Sequence, residues 1–367
     1  MTTRVMSSEY MYWAKTQSQA TFDLANSGMA GYSLADLPVK IEDLEINGPS
    51  YYGYEPLLQA LAAKCEVTTG NVVAANGASM VNFFVMAATL EPGDEVLIEH
   101  PTYELLVSTA QYVGAEVKRF SRRFENRFRI DVDEVAAAIS SKTRLIVLTN
   151  LHNPSGAQVD QATLSAIGDI ARDAKARVLV GEIYLDALFE ETPRSAFHLG
   201  PQFVVTNSLT KVYGLSGLRC GWVVAEPDLA QKIWRLNDLI ANSPAHVAER
   251  LSCIALASLD HIRQRSKRIL TANHELLASF MAGRDDLEAV VFPRGTVCFP
   301  RLRQDSVDQL CARLREKYET AVVPGKFFGM PDHCRIGLGC KTDTFAEGIR
   351  RLGLALDESR EQNGKKK

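Results

Sequence analysis

Residues 202–226 read QFVVTNSLTKVYGLSGLRCGWVVAE. Two apolar runs, QFVVTNS (202–208) and CGWVVAE (220–226), have the length and β-branched content of buried strands. Between them lies a glycine-punctuated loop that carries Lys211 and Arg219. In open α/β sheets ligands sit beyond the carboxyl ends of strands, so a lysine directly after such a run stands where chemistry is expected. Ser208 lies three residues before Lys211 and Arg219 eight after it. A lysine amine can form an imine while a neighbouring hydroxyl and guanidinium hold an anion such as phosphate. The residues alone also allow a solvated loop lysine.

Working outward, short apolar runs alternate with helical stretches from Asn71 onward, the rhythm of a mainly parallel sheet covered on both faces. Further strands are expected at EVLIEH (95–100), AEVKRF (115–120), RLIVLTN (144–150) and RVLVGEIY (177–184). Helices are expected at 81–90, 104–114, 133–140 and 161–176. After about residue 228 the pattern turns to long amphipathic helices, and short strands return near 289–300 and 333–338. The expected class is therefore α/β: a large domain over 41–265, and a smaller α+β domain made from 1–40 and 266–367. The first forty residues read as irregular and the last ten as frayed.

Composition narrows the function classes. The chain has 367 residues, 46% hydrophobic and 23% charged, which suits a soluble globular protein with a sizeable core. With 41 basic and 44 acidic residues the net charge is -3, so no global field favours nucleic acid or an anionic membrane, and the expected partners are small molecules. No run of about 18 apolar residues occurs to span a bilayer. Seven cysteines without paired short spacing fit a reducing, cytoplasmic setting better than a zinc site or disulfide scaffold. No metal is expected, because the histidines show no ligand spacing. Glycine loops of the dinucleotide and P-loop type are missing after the expected strands. The arginines of SRRFENRFRID (121–131), Arg122 among them, read as a solvated charge run.

The stretch SLTKVYGLSGLRCGW resembles the lysine motif of the class I/II aminotransferases, the fold-type I enzymes that depend on pyridoxal 5′-phosphate. The resemblance covers roughly residues 20–345. It implies Lys211 as the Schiff-base lysine, with Ser208 and Arg219 as phosphate ligands. NGASM (76–80) opens a helix, so the backbone N–H groups of Gly77, Ala78 and Ser79 would face the phosphate; without the resemblance it is an ordinary cap. EHPTYELL (99–106) places Tyr103 where the family has an aromatic that stacks on the cofactor ring, although packing alone also explains it. TNLHNPSGAQVD (149–160) contains the family's Asn-Pro-x-Gly turn, which implies Asn153 as a donor to the cofactor's phenolic oxygen. Tyr184 would make a second bond to that oxygen. HCRIGLG (333–339) implies Arg335 as the clamp for a substrate α-carboxylate.

SYYGYEPLLQALA (50–62) matches the region where the family sends a tyrosine across a homodimer interface, and both Tyr51 and Tyr52 are candidates; a surface aromatic cluster is the alternative. Gly28, in DLANSGM, would line the substrate entrance. The expected substrates are an amino acid and a 2-oxo acid. Other fold-type I outcomes, such as elimination, racemisation or cyclisation, share the same residues and stay open.

One position departs from the family. Three residues before Tyr184, where the family has an aspartate that pairs with the pyridine nitrogen, this chain has Gly181. Glu182 is next to it, but successive strand residues face opposite sides of a sheet. Asp186 lies beyond Tyr184 and would have to fold back. A water or a neutral donor in that space is the remaining expectation.

Overall fold

A computed structural model describes the backbone of residues 5–303 and 305–364. The chain enters through helix α1 (Glu9–Thr16), whose start is capped by the Ser8 hydroxyl on the Met11 N–H, with Glu9 in the first turn and Lys15 in the last. The first forty residues are thus not all irregular. Strand β1 (Phe22–Asp23) then runs parallel to Thr320–Ala321, tying the N-terminal segment to the C-terminal region. Helix α2 (Glu55–Cys65) carries Pro56 in its first turn and ends in a left-handed cap at Glu66.

The central sheet has seven strands: β2 (Val72–Asn76), β3 (Glu95–His100), β4 (Glu116–Ser121), β5 (Thr143–Thr149), β6 (Arg177–Gly181), β7 (Phe203–Ser208) and β8 (Cys220–Val224). Their order is β2-β8-β7-β6-β5-β3-β4, and β8 alone runs antiparallel to its neighbours. The mainly parallel α/β sheet read from the sequence is therefore present. Two details differ. Val72–Asn76 is an additional strand that is not among those read from the sequence. The run RVLVGEIY stops being a strand at Gly181, so Tyr184 stands in the turn beyond the sheet.

Alternation along the strands sorts the core into two layers. Leu145, Val147, Leu179 and Val204 pack with α3 (Gly77–Thr89), α4 (Glu104–Tyr112) and α7 (Pro227–Ile240). Ile146, Leu148, Val178, Val180 and Val205 pack on the other side with α2 and α6 (Gln161–Asp173). Thr149, Gly181 and Thr206 lie in register on three adjacent strands, and by this alternation they face α3. A carbon added at Gly181 would stand 3.2 Å from the Thr149 methyl, which places both on the same side.

The C-terminal part holds α9 (Leu259–Ala282), a separate helix from His246–Ala257, and the two meet at Ser258. Cys334–Gly337 pairs antiparallel with both Val297–Cys298 and Val323–Pro324, and this small sheet carries Arg335. The last helix runs from Thr342 to Gly364, so the expected fraying does not reach residues 358–364; residues 365–367 lie outside the described residues.

Candidate active site

A cavity of about 360 Å³ opens where α3 begins and β5, β6 and β7 end. Lys211, Asn153, Tyr184, Tyr103, Ser208 and Arg219 all line it, although they come from four separate stretches of sequence. This is the carboxyl end of the parallel strands, as expected for a ligand site in such a sheet.

One side is built for an anion. Ala78 and Ser79, in the first turn of α3, line the cavity with the Ser208 hydroxyl and the Arg219 guanidinium. The buried Thr210 hydroxyl also lines it and has no hydrogen-bond partner among the described residues. Gly77 has φ +81°, and an added carbon there would stand 2.2 Å from Arg219 Nη2. The glycine is what lets the guanidinium lie against the helix start. Arg219 itself sits in the left-handed region at φ 52°, with Nη2 on the Asn76 carbonyl and Nη1 on the Ser216 carbonyl, both at 3.3 Å. Helix dipole, free N–H groups, hydroxyls and a cation converge on one spot.

Lys211 enters from the opposite side, at the turn after β7. Its carbonyl accepts the Met29 N–H at 2.8 Å, and a carbon added at Gly28 would meet Lys211 Cδ at 3.2 Å. Gly28 thus packs over the lysine stem and does not line the cavity. The lysine is partly open to the cavity yet enclosed by protein, and this desolvation holds its pKa below the usual range, with Arg335 and Arg219 pushing the same way against the nearby Tyr10.

The third side is a hydrogen-bonded relay. Arg335, 1% exposed, donates from Nη1 to Asn153 Oδ1 at 2.9 Å and from Nη2 to Tyr10 Oη at 3.0 Å and the Ala25 carbonyl at 2.8 Å. Its Nε is buried with no partner among the described residues. The Asn153 N–H donates to Thr149 Oγ1, which donates to Glu99, which in turn is held by Arg122 at 2.8 Å. Arg122 is therefore fully buried beneath the site, contrary to its reading as a solvated charge; Glu99 in its strand supplies the partner that the local sequence does not reveal. Tyr184 meets Ser27 Oγ at 2.9 Å, and burial raises its phenol pKa. His152 braces the Asn153 turn between Ser155 and the Pro101 carbonyl, and burial keeps it neutral.

Tyr103 closes the cavity with its ring edge-on to Tyr10, centroids 5.6 Å apart. Tyr10, Ser27, Asn82, Thr149 and Thr210 were not singled out from the sequence. Tyr10 could have been found from the capped pattern SEYMYWAKT, and Asn82 as the one strongly polar residue of VNFFVMAATL. Tyr51 and Tyr52 do not reach this cavity: Tyr51 is 80% exposed, and Tyr52 is engaged with Asp238 and Arg235.

Neither acid near Gly181 fills its place. Glu182 faces the other side of the sheet and accepts the Ala196 N–H at 2.7 Å. Asp186 takes the Tyr213 hydroxyl at 2.6 Å and pairs with Lys64 at 3.1 Å.

Comparison with known proteins agrees with this geometry. Capreomycidine synthase of Streptomyces vinaceus is 31% identical over 92% of this chain and 90% of its own length. Arginine–pyruvate transaminase AruH of Pseudomonas aeruginosa is 28% identical over 80% and 76% respectively. The fold is shared with a PLP-dependent aminotransferase of Streptococcus suis, with TM-score 0.88, 24% identity and coverage of 95% and 96%. It is shared equally with the PLP-dependent cyclase OrfR, with TM-score 0.87, 23% identity and 99% of each chain. The cofactor fits the residues present: an unpartnered Thr210 hydroxyl and a glycine cradle at the anion side, a lysine opposite, and an asparagine and a tyrosine between them. Residues 45–352 match the aminotransferase class I and II family, and the chain belongs to it as a fold-type I enzyme that depends on pyridoxal 5′-phosphate.

Proposed function

We propose that this enzyme transfers an amino group between an amino acid and a 2-oxo acid, with Lys211 as the covalent anchor of the cofactor and the moving base. The observation that carries the reading is the convergence of Lys211, the anion cradle and the Arg335–Asn153 pair on one cavity. When bound, pyridoxal phosphate supplies an electron-withdrawing ring that accepts the electron pair left at the substrate α-carbon.

The chain's own groups do the rest. Ser208, Thr210, Arg219 and the N–H groups at the start of α3 hold the phosphate. Asn153 is oriented by Arg335, whose nitrogens only donate, so its Oδ1 is occupied and its Nδ2 is left for the cofactor hydroxyl. A substrate carboxylate binds Arg335 by replacing Tyr10 Oη as acceptor on Nη2 and engaging the unpartnered Nε. With its amine free, Lys211 Nζ would take the α-proton of the substrate and hold it for return; its lowered pKa keeps more of it neutral for this task. Asp23 is the one carboxylate lining the cavity among the described residues, which favours a cationic side chain on the substrate. In a homodimer, the partner subunit's Tyr51 completes the phosphate site, as its exposure here suits.

Capreomycidine synthase, similar over nine-tenths of the chain, supports a second reading in which the same residues serve an elimination or cyclisation. Mixing the holoenzyme with a panel of amino acids, arginine first, separates the two. Transfer yields the aminated cofactor and one equivalent of 2-oxo acid. Elimination or cyclisation consumes amino acid and leaves the lysine-linked cofactor unchanged at the end.

A further inference from the structure

We propose that Asn82 takes over the place of the missing aspartate, donating a side-chain N–H to the pyridine nitrogen and holding that nitrogen unprotonated. The inference rests on the pyridoxal phosphate site described above and concerns the one side of the ring that the family pattern leaves unserved in this chain.

On the pyridine ring, the carbon that binds the lysine is para to the nitrogen, and the phosphate arm and the hydroxyl occupy the two flanks. In this cavity Lys211 takes the first side, the start of α3 with Ser208 and Arg219 the second, and Asn153 with Tyr184 the third. The nitrogen is left to face the floor. That floor is lined by Thr149, the first of a row with Gly181 and Thr206 in register and turned toward α3. Gly181 brings no side chain, and Thr149 spends its proton on Glu99 at 2.6 Å.

Asn82 stands over this row on α3. It is 7% exposed and lines the cavity. Its Oδ1 accepts the Thr206 hydroxyl at 2.8 Å, from the residue in register with Gly181. Its Nδ2 has no partner among the described residues and keeps two N–H groups for the cavity. Such a donor matches only a nitrogen that still has its lone pair; a pyridinium N–H would meet another donor. No carboxylate can take the role instead, because Glu182 and Asp186 are engaged on the other face and Asp23 lies on the Arg335 side. A neutral ring is a weaker electron sink, so the proton-transfer step leans on Lys211 and the hydroxyl-side donors.

The test is 15N NMR of the holoenzyme carrying cofactor labelled at the ring nitrogen. In the unchanged protein the resonance is expected at the position of an unprotonated, hydrogen-bonded pyridine. In Asn82→Ala it should move toward free pyridine, with cofactor affinity falling about tenfold. In Gly181→Asp it should move to the pyridinium position. A pyridinium resonance in the unchanged protein overturns the proposal, as does a resonance that Asn82→Ala leaves in place. Failure to form any lysine-linked visible band would instead overturn the cofactor site itself, and with it the role of Asn82.

Discussion

Arg335 and Asn153, 182 residues apart in sequence, are joined by a 2.9 Å hydrogen bond in which the guanidinium donates to the amide oxygen. Because a guanidinium has no acceptor, this bond orients the asparagine and ties the C-terminal sheet that carries Arg335 to the turn that carries Asn153. Both residues are buried, so the coupling is screened little by solvent.

Replacing Arg335 by Lys keeps the charge and loses the planar fork. With one charge-assisted contact of about 1.5–3 kcal/mol gone, kcat/KM should fall roughly tenfold to a hundredfold, chiefly through KM. Steady-state kinetics with the best amino acid of the panel measures this, and an unchanged KM would remove Arg335 from substrate binding.

Lys211→Ala should still take up pyridoxal phosphate through the anion cradle but form no covalent link. Borohydride reduction followed by intact mass is expected to show the cofactor adduct in the parent protein and none in the variant. Turnover should fall by several orders of magnitude, since both the anchor and the base are lost.

Gly77→Ala forces an L side chain into φ +81° and pushes Arg219 Nη2, which would be 2.2 Å from the new carbon. The backbone conformation alone costs about 1–2 kcal/mol. The larger effect is expected on cofactor affinity, which should weaken about tenfold or more as the guanidinium leaves the helix start. Fluorescence titration with pyridoxal phosphate reads that change; an unaltered affinity would separate Arg219 from the phosphate.

Glu182 is buried beneath the sheet, and desolvation pushes its pKa up to about 7 against the Ala196 N–H and Ser195 that favour the carboxylate. Its folded pKa lies above the unfolded one near 4.5, so the native state binds more protons between these values. The contribution is fully present below pH 4.5 and is lost as the pH rises through about 7. Its size is on the order of 3 kcal/mol. Urea denaturation across this window should show Glu182→Gln losing less stability with rising pH than the parent. Parallel curves would show that Glu182 titrates alike in both states.

Much of this site is local in origin and so legible in the chain. The spacing of Ser208, Lys211 and Arg219 belongs to one strand-loop-strand unit, and the turn at Asn153 and the helix start at Gly77 are short-range features whose residue types carry their own conformational preferences. Strand positions followed from apolar runs because both faces of the sheet are covered. The strand Val72–Asn76 escaped notice since its Val-Val-Ala-Ala run is short and merges into the next helix.

What the sequence by itself determined was the α/β class, the place of Lys211 directly after a strand end and the absence of an acid at Gly181. Only the tertiary structure decided what surrounds them. It paired Arg335 with Asn153 and Tyr10, buried Arg122 against Glu99, and turned Asn82 onto Thr206 beside Gly181. Each of these contacts joins residues from separate elements, and neither periodicity nor local propensity encodes a partner that packing alone brings within hydrogen-bond reach.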